Sequence, residues 1–147
     1  MTAPPGTGKT TQYKNWKILY RYEVEMISGD MPILDFRQKD TIWVHPSPWN
    51  GKERLRGSKS GKLGGIVYLE QGAENVMERW EPEESIIPVL QQFAVSPQTV
   101  EQIKLVTSFE NQLLRQIPVW KFINRGDKPS TVLMRDTFER CLAEKEL

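Results

Sequence analysis

Ala3-Pro4-Pro5-Gly6-Thr7-Gly8-Lys9-Thr10-Thr11 is the stretch from which the fold is read. A loop that holds phosphate needs backbone N–H groups turned inward, glycine where a side chain would clash, a lysine for the β- and γ-phosphates and a hydroxyl for Mg²⁺. Gly6, Gly8, Lys9 and Thr10 supply these, so Pro5, Gly6, Thr7, Gly8, Lys9, Thr10 and Thr11 are the expected nucleotide contacts. The strict pattern has glycine where Ala3 stands. The competing reading is an ordinary Gly/Pro turn capping a helix, which leaves the Lys-Thr-Thr run without a role. A buried strand normally aims such a loop, yet only Met1 and Thr2 precede Ala3. The expectation is a core without its usual first strand, whose open edge favours association of copies.

Outward from the loop, residues Gly8 to about Leu19 suit a helix with Trp16 and Leu19 on its inner face. Glu23 to Ser28 reads as a short strand ending at Gly29-Asp30, and Pro32–Phe36 with Thr41–Val44 as a β-hairpin. His45 to Gly65 carries two prolines, five glycines and a set of basic residues, the composition of an irregular loop. Ile66-Val67-Tyr68-Leu69 is a continuous apolar run, expected at the centre of a sheet. Val76–Trp80 reads as a further strand, and Glu81-Pro82-Glu83-Glu84 as a helix start that Pro88 complicates. Ser96-Pro97 offers a cap for a helix to about Arg115, with Val100, Ile103, Val106, Phe109 and Leu113 at helical spacing. Pro118–Ile123 reads as a strand, and Pro129 to about Lys145 as a closing helix with Met134, Phe138 and Cys141 on one side. These readings give a single α/β domain over residues 1–147, a mixed sheet flanked by helices.

Twenty Lys and Arg stand against nineteen Asp and Glu, a formal charge of +1. No field large enough to recruit nucleic acid or an anionic membrane follows from that balance. The single cysteine, Cys141, excludes an internal disulfide framework. With short apolar runs throughout, the expectation is a cytoplasmic protein whose partners are chosen by local sites.

Taken with the segments downstream, the loop resembles the C-terminal kinase domain of the HPr kinase family, which shares a core with ATP-dependent phosphoenolpyruvate carboxykinase. The resemblance is carried by Ala3 to Thr11, Ser28-Gly29-Asp30 with Pro32, Ser47-Pro48-Trp49-Asn50-Gly51-Lys52, and Ile66-Val67-Tyr68-Leu69-Glu70-Gln71-Gly72-Ala73-Glu74-Asn75. A weaker part is Asn111-Gln112-Leu113-Leu114 through Pro118-Val119-Trp120. It implies an ATP-dependent phosphotransferase acting on a Ser or Thr hydroxyl of a protein or peptide. Lys9 and Asp30 would be the catalytic residues, and Thr10 and Asp30 would share Mg²⁺. The loop bearing Trp49, Lys52, Arg54 and Arg56 would face the substrate. The family's strand ends in two adjacent aspartates, the first linked to general-base work. Here Gly29 takes that place, and the family's upstream histidine has no counterpart, since His45 lies elsewhere.

Phosphoryl transfer rests mainly on positioning and charge neutralisation, so a missing base slows it without abolishing it. An acid restored at Gly29 is accordingly expected to raise turnover. The second hypothesis is a degenerate, non-catalytic nucleotide-binding module that acts through a partner. The third is a fragment of a ring-forming P-loop ATPase, which lacks support because no Asp-Glu pair closes an apolar strand after Asp30. Structural readings compete at the remaining positions. Asp30 suits a turn, Trp49 suits a side chain tucked against the core, Arg54 and Arg56 suit solvent, and His45 suits neutral packing.

Overall fold

The computed structural model describes residues 1–49, 55 and 57–145. Among these the chain forms α1 (Lys9–Tyr20), a 3₁₀ turn at Arg21–Glu23, β1 (Ile33–Gln38), β2 (Thr41–His45), β3 (Gly61–Lys62), β4 (Ile66–Gln71) and β5 (Val76–Trp80). There follow α2 (Pro82–Leu90), α3 (Val100–Gln116), β6 (Val119–Asn124) and α4 (Lys128–Lys145). The fold is mixed α/β, with two three-stranded sheets ordered β1-β2-β3 and β4-β6-β5 in place of the one sheet expected. The chain divides into two compact units, each assembled from separate stretches of sequence.

The first unit comprises Met1–Val24, Val67–Arg79 and Trp120–Leu147. Thr2 lies beside Tyr68 in a parallel bridge, its N–H donating to Val67 O at 2.8 Å and its carbonyl accepting from Leu69 N–H at 3.0 Å. On the other side of β4, Ile66 N–H donates to Pro118 O and Gly72 N–H to Asn124 O. Partners that advance together in this way make β4 and β6 parallel. β6 is therefore the central strand of this sheet and β4 an edge strand whose outer side carries the isolated bridge to Thr2, whereas Ile66 to Leu69 were expected at the centre. Alternation along the pleat turns Val67 and Leu69 into a core with Ala3, Trp120, Phe122 and Met134. Trp16 of α1 and Leu133, Phe138 and Cys141 of α4 pack on the same core. The apolar stripe read along α4 is thus the face that buries. Glu70 and Lys121, on alternate positions of the two strands, pair at 3.1 Å.

The second unit comprises Glu25–Ile66 and Trp80–Val119. The hairpin β1–β2 forms as expected, with Leu34 opposite Val44 and Asp35 opposite Trp43. Ile42, Val89, Leu113, Leu114, Ile117 and Val119 form its core. α2 runs through Pro88, its start held by Pro82 in the first turn and a capping box between Glu81 and Glu84. α3 begins later than Ser96-Pro97 suggested, because Thr99 is its cap and accepts from Gln102 N–H at 3.2 Å. Its first turns also face outward. Val100 is 60% and Ile103 52% exposed, and burial begins near Phe109, which stacks on Phe36.

No strand forms over Glu23 to Ser28. Arg21 takes a positive φ of +35° as α1 ends, and the 3₁₀ turn uses Arg21 to Glu23. Farther on, Gly57 N–H donates to Ile27 O and Gly29 N–H to Leu55 O, so the segment pairs with residues downstream instead of extending.

Candidate functional site

The loop from Ala3 to Gly8 bends through two residues in the left-handed region, Gly6 at φ +83° and Gly8 at φ +99°. Only glycine enters that region without a steric penalty. A Cβ at either position would meet no heavy atom within 4 Å, so the backbone there borders open space. α1 starts immediately after Gly8, with no side chain capping it and no acid in its first turn. Its first N–H groups and the positive end of its dipole therefore remain available to an anion.

Lys9 reaches back across this loop. Its Nζ donates to Ala3 O at 2.6 Å and to Pro4 O at 3.0 Å. Thr7 Oγ1 donates to the same Pro4 carbonyl at 2.8 Å. The loop thus closes as a ring of backbone around an ammonium group, with a proline-rich entry and a helix as exit. Ala3, where the strict pattern has glycine, is buried in the core and anchors the ring to β4. Pro5 and Thr11 are exposed, and Thr10 sits half-buried in the first turn of α1.

Two further features belong to this site. Gln71, the last residue of β4, donates from Nε2 to Gly6 O at 3.1 Å. Behind the loop, Gln12 of α1 is fully buried. Its Nε2 donates to Asn124 Oδ1 at 3.1 Å and Ser130 Oγ at 2.5 Å, and its Oε1 accepts from Thr131 Oγ1 at 2.8 Å. Asn15 adds a bond to Gly126 O at 3.1 Å, where Gly126 turns with φ +74°. The turn is braced in its own right. Asp127 accepts from Asn75 and Ser130 and pairs with Arg125, and the hydrogen bonds from Asn75, Ser130 and Arg125 hold its carboxyl below the ordinary range against the opposing effect of desolvation. The loop helix is therefore pinned to the β6–α4 turn by amide hydrogen bonds, in addition to the apolar packing of Trp16. Neither Gln12 nor Gln71 is among the expected site residues: Gln71 stands only as part of the stretch from Ile66 to Asn75, and a glutamine within a helix carries no motif.

No protein-family model, curated protein or solved structure matches this chain.

The remaining expected site residues lie in the second unit or outside the described residues. Asp30 is exposed at a bend, and Trp49 is 56% exposed rather than tucked into a core. Lys52, Arg54 and Arg56 fall outside the described residues. Gly29 is closed to side chains, since a Cβ there would stand 2.7 Å from both Leu55 Cβ and Leu55 O. An acid therefore cannot be accommodated without moving the Leu55 backbone, a steric obstacle to the carboxylate that the resemblance asks for at Gly29. His45 is half-buried and has polar neighbours. Its Nδ1 lies 2.7 Å from Ser60 Oγ and its Nε2 3.4 Å from Asp35 Oδ2. Arg37 grips the Asp35 carboxylate through Nε and Nη2, and these bonds hold it far below the ordinary carboxylate range. No described helix is long and apolar enough to cross a membrane.

Proposed function

We propose that this chain binds ATP through the loop from Ala3 to Thr11 and is a kinase-like phosphotransferase directed at a Ser or Thr hydroxyl of a protein or peptide. The observation that carries the nucleotide reading is the ring closed by Lys9 on Ala3 O and Pro4 O, with Gly6 and Gly8 in the left-handed region and α1 uncapped behind it. The loop and helix N–H groups suit phosphate oxygens, and the ammonium of Lys9 suits the charge between the β- and γ-phosphates. The hydroxyl of Thr10, in the first turn, is the group suited to Mg²⁺, an ion that neutralises phosphate charge when bound. The acceptor class rests on the resemblance to the HPr kinase family.

One observation favours a second reading, a nucleotide-binding module without transferase activity. The position at which that resemblance asks for a general base is Gly29, and Leu55 leaves it no room for a side chain. Transfer would then depend on positioning and charge alone.

Thermal unfolding with and without millimolar MgATP tests nucleotide binding. A ligand that binds only the folded form stabilises it by about 2.7 kcal/mol at a hundred times its Kd. Lys9→Ala is expected to abolish the shift, read against the variant's own ligand-free melting temperature because the two loop bonds of Lys9 are lost as well. A wild-type protein that melts at the same temperature with and without MgATP refutes the nucleotide reading. Labelled phosphate transferred from ATP to Ser- or Thr-containing peptides separates the kinase from the silent module.

A further inference from the structure

We infer that Gln71 reads the terminal phosphate of the bound nucleotide and gives the site a preference for a nucleoside triphosphate over the diphosphate. This deepens the nucleotide reading and rests on it.

The argument begins with the register of β4. Thr2, the residue immediately before the loop, is bonded on both sides of Tyr68, through Val67 O and Leu69 N–H. The backbone entering the loop and β4 therefore run side by side in the same direction, and both arrive at the loop end together. In open α/β sheets ligands are bound beyond the carboxyl ends of parallel strands, where loops and strand tips converge. β4 ends there with Glu70 and Gln71. Successive side chains on a strand point to opposite faces. Glu70 is on the face of Tyr68 and pairs with Lys121, away from the Val67–Leu69 core. Gln71 shares the face of Val67 and Leu69, the one packed by α1, and so is carried toward the loop that begins α1.

The bond from Gln71 Nε2 to Gly6 O shows that it arrives. The two residues are 65 positions apart in sequence. Its backbone is also held in place. Gly72 N–H donates to Asn124 O at 3.1 Å, and a Cβ on Gly72 would come within 2.3 Å of Ile123 Cγ2, so a side chain just after β4 would have to displace Ile123. The side chain is exposed, and its carboxamide has a second N–H and a carbonyl oxygen beyond the bond to Gly6. A neutral amide suits this task, since it donates to a phosphate oxygen or aligns an attacking hydroxyl without adding negative charge. The first glycine of the loop and the strand tip are thereby joined by one side chain, so occupancy at the outer end of the phosphate chain and the conformation at Gly6 are linked.

Binding of MgATP and MgADP to the wild type, Gln71→Ala and Gln71→Glu, measured by calorimetry, tests this. A hydrogen bond to a charged phosphate oxygen is worth roughly tenfold or more in affinity. Gln71→Ala is expected to weaken MgATP by about that factor while MgADP changes less than about twofold. Gln71→Glu, which replaces donors with a like charge, is expected to weaken MgATP further. Wherever the wild type hydrolyses or transfers phosphate, kcat should fall in Gln71→Ala with no compensating change in the MgADP affinity. Equal weakening of MgATP and MgADP would show that Gln71 only props the loop, and so would overturn the inference while leaving the nucleotide reading intact. A wild type that binds neither nucleotide would sink both.

Discussion

Gln12→Leu tests whether the amide network behind the loop is what fixes α1. The substitution shortens the side chain by one atom and removes three hydrogen bonds, to Asn124, Ser130 and Thr131. The three partners do not suffer equally. Asn124 Oδ1 still accepts from Gly126 N–H at 3.0 Å, and Ser130 Oγ still donates to Asp127 O at 2.6 Å. Thr131 Oγ1 is fully buried and loses the acceptor of its hydroxyl proton. Each net bond is worth about 0.5–1.5 kcal/mol and an orphaned buried donor about 1–3 kcal/mol, while the leucine recovers part of this as apolar burial. The expected loss is about 2–4 kcal/mol, and at roughly 3 °C per kcal/mol for a chain of this size the melting temperature should fall by about 6–12 °C. Urea denaturation followed by circular dichroism gives the free energy, and calorimetry gives the temperature. Adding Thr131→Val removes the orphaned hydroxyl, so the double variant should be at least about 1 kcal/mol more stable than the sum of the single effects. A loss below about 0.5 kcal/mol, or strict additivity in the double variant, would refute a network centred on Gln12.

Gly29→Asp should destabilise the chain by about 1–3 kcal/mol, the usual range for overpacking, because the new Cβ meets Leu55 backbone and Cβ rather than a flexible tip. Phosphotransfer assays should show no gain, and a folded variant with raised turnover would prove the reasoning wrong. Glu110 is buried on α3, and its Oε1 has no hydrogen-bond partner among the described residues. Burial raises its pKa, so the protonated form is favoured in the folded state, and stability declines as pH rises from the ordinary glutamate range, about 4.3, through the folded value. Glu110→Gln should remove that decline, equalling the wild type in acid and exceeding it at pH 8 in denaturant titrations. Asp35 has the opposite sign, because its bonds to Arg37 lower the folded pKa. Its contribution is present above the ordinary aspartate range and fades as pH falls through the folded value, so Asp35→Asn should flatten the acid limb of the stability profile.

What local sequence determined here is what the backbone decides within a few residues. Gly6 and Gly8 are needed because the loop turns through positive φ, and the helix that follows starts where the glycines end. The β1–β2 hairpin, the strand at Val119–Asn124 and the stripe of Met134, Phe138 and Cys141 follow from periods of two and 3.6 residues. Such periods say which face is apolar and leave open what it meets. The same pattern in α3 suggested inward positions at Val100 and Ile103, but the second core reaches only the later turns. Tertiary structure alone decided that Leu55 excludes a side chain from Gly29 and that Gln71 reaches Gly6. It also placed Gln12 on partners 112 to 119 residues away. These are polar or steric contacts between distant segments, and a hydrogen bond requires its two atoms to meet at about 3 Å, a condition no local periodicity encodes. The loop could therefore be read from its residues, whereas Gln12 and Gln71, which bond to the loop and behind it, came into place only when the chain folded back on them.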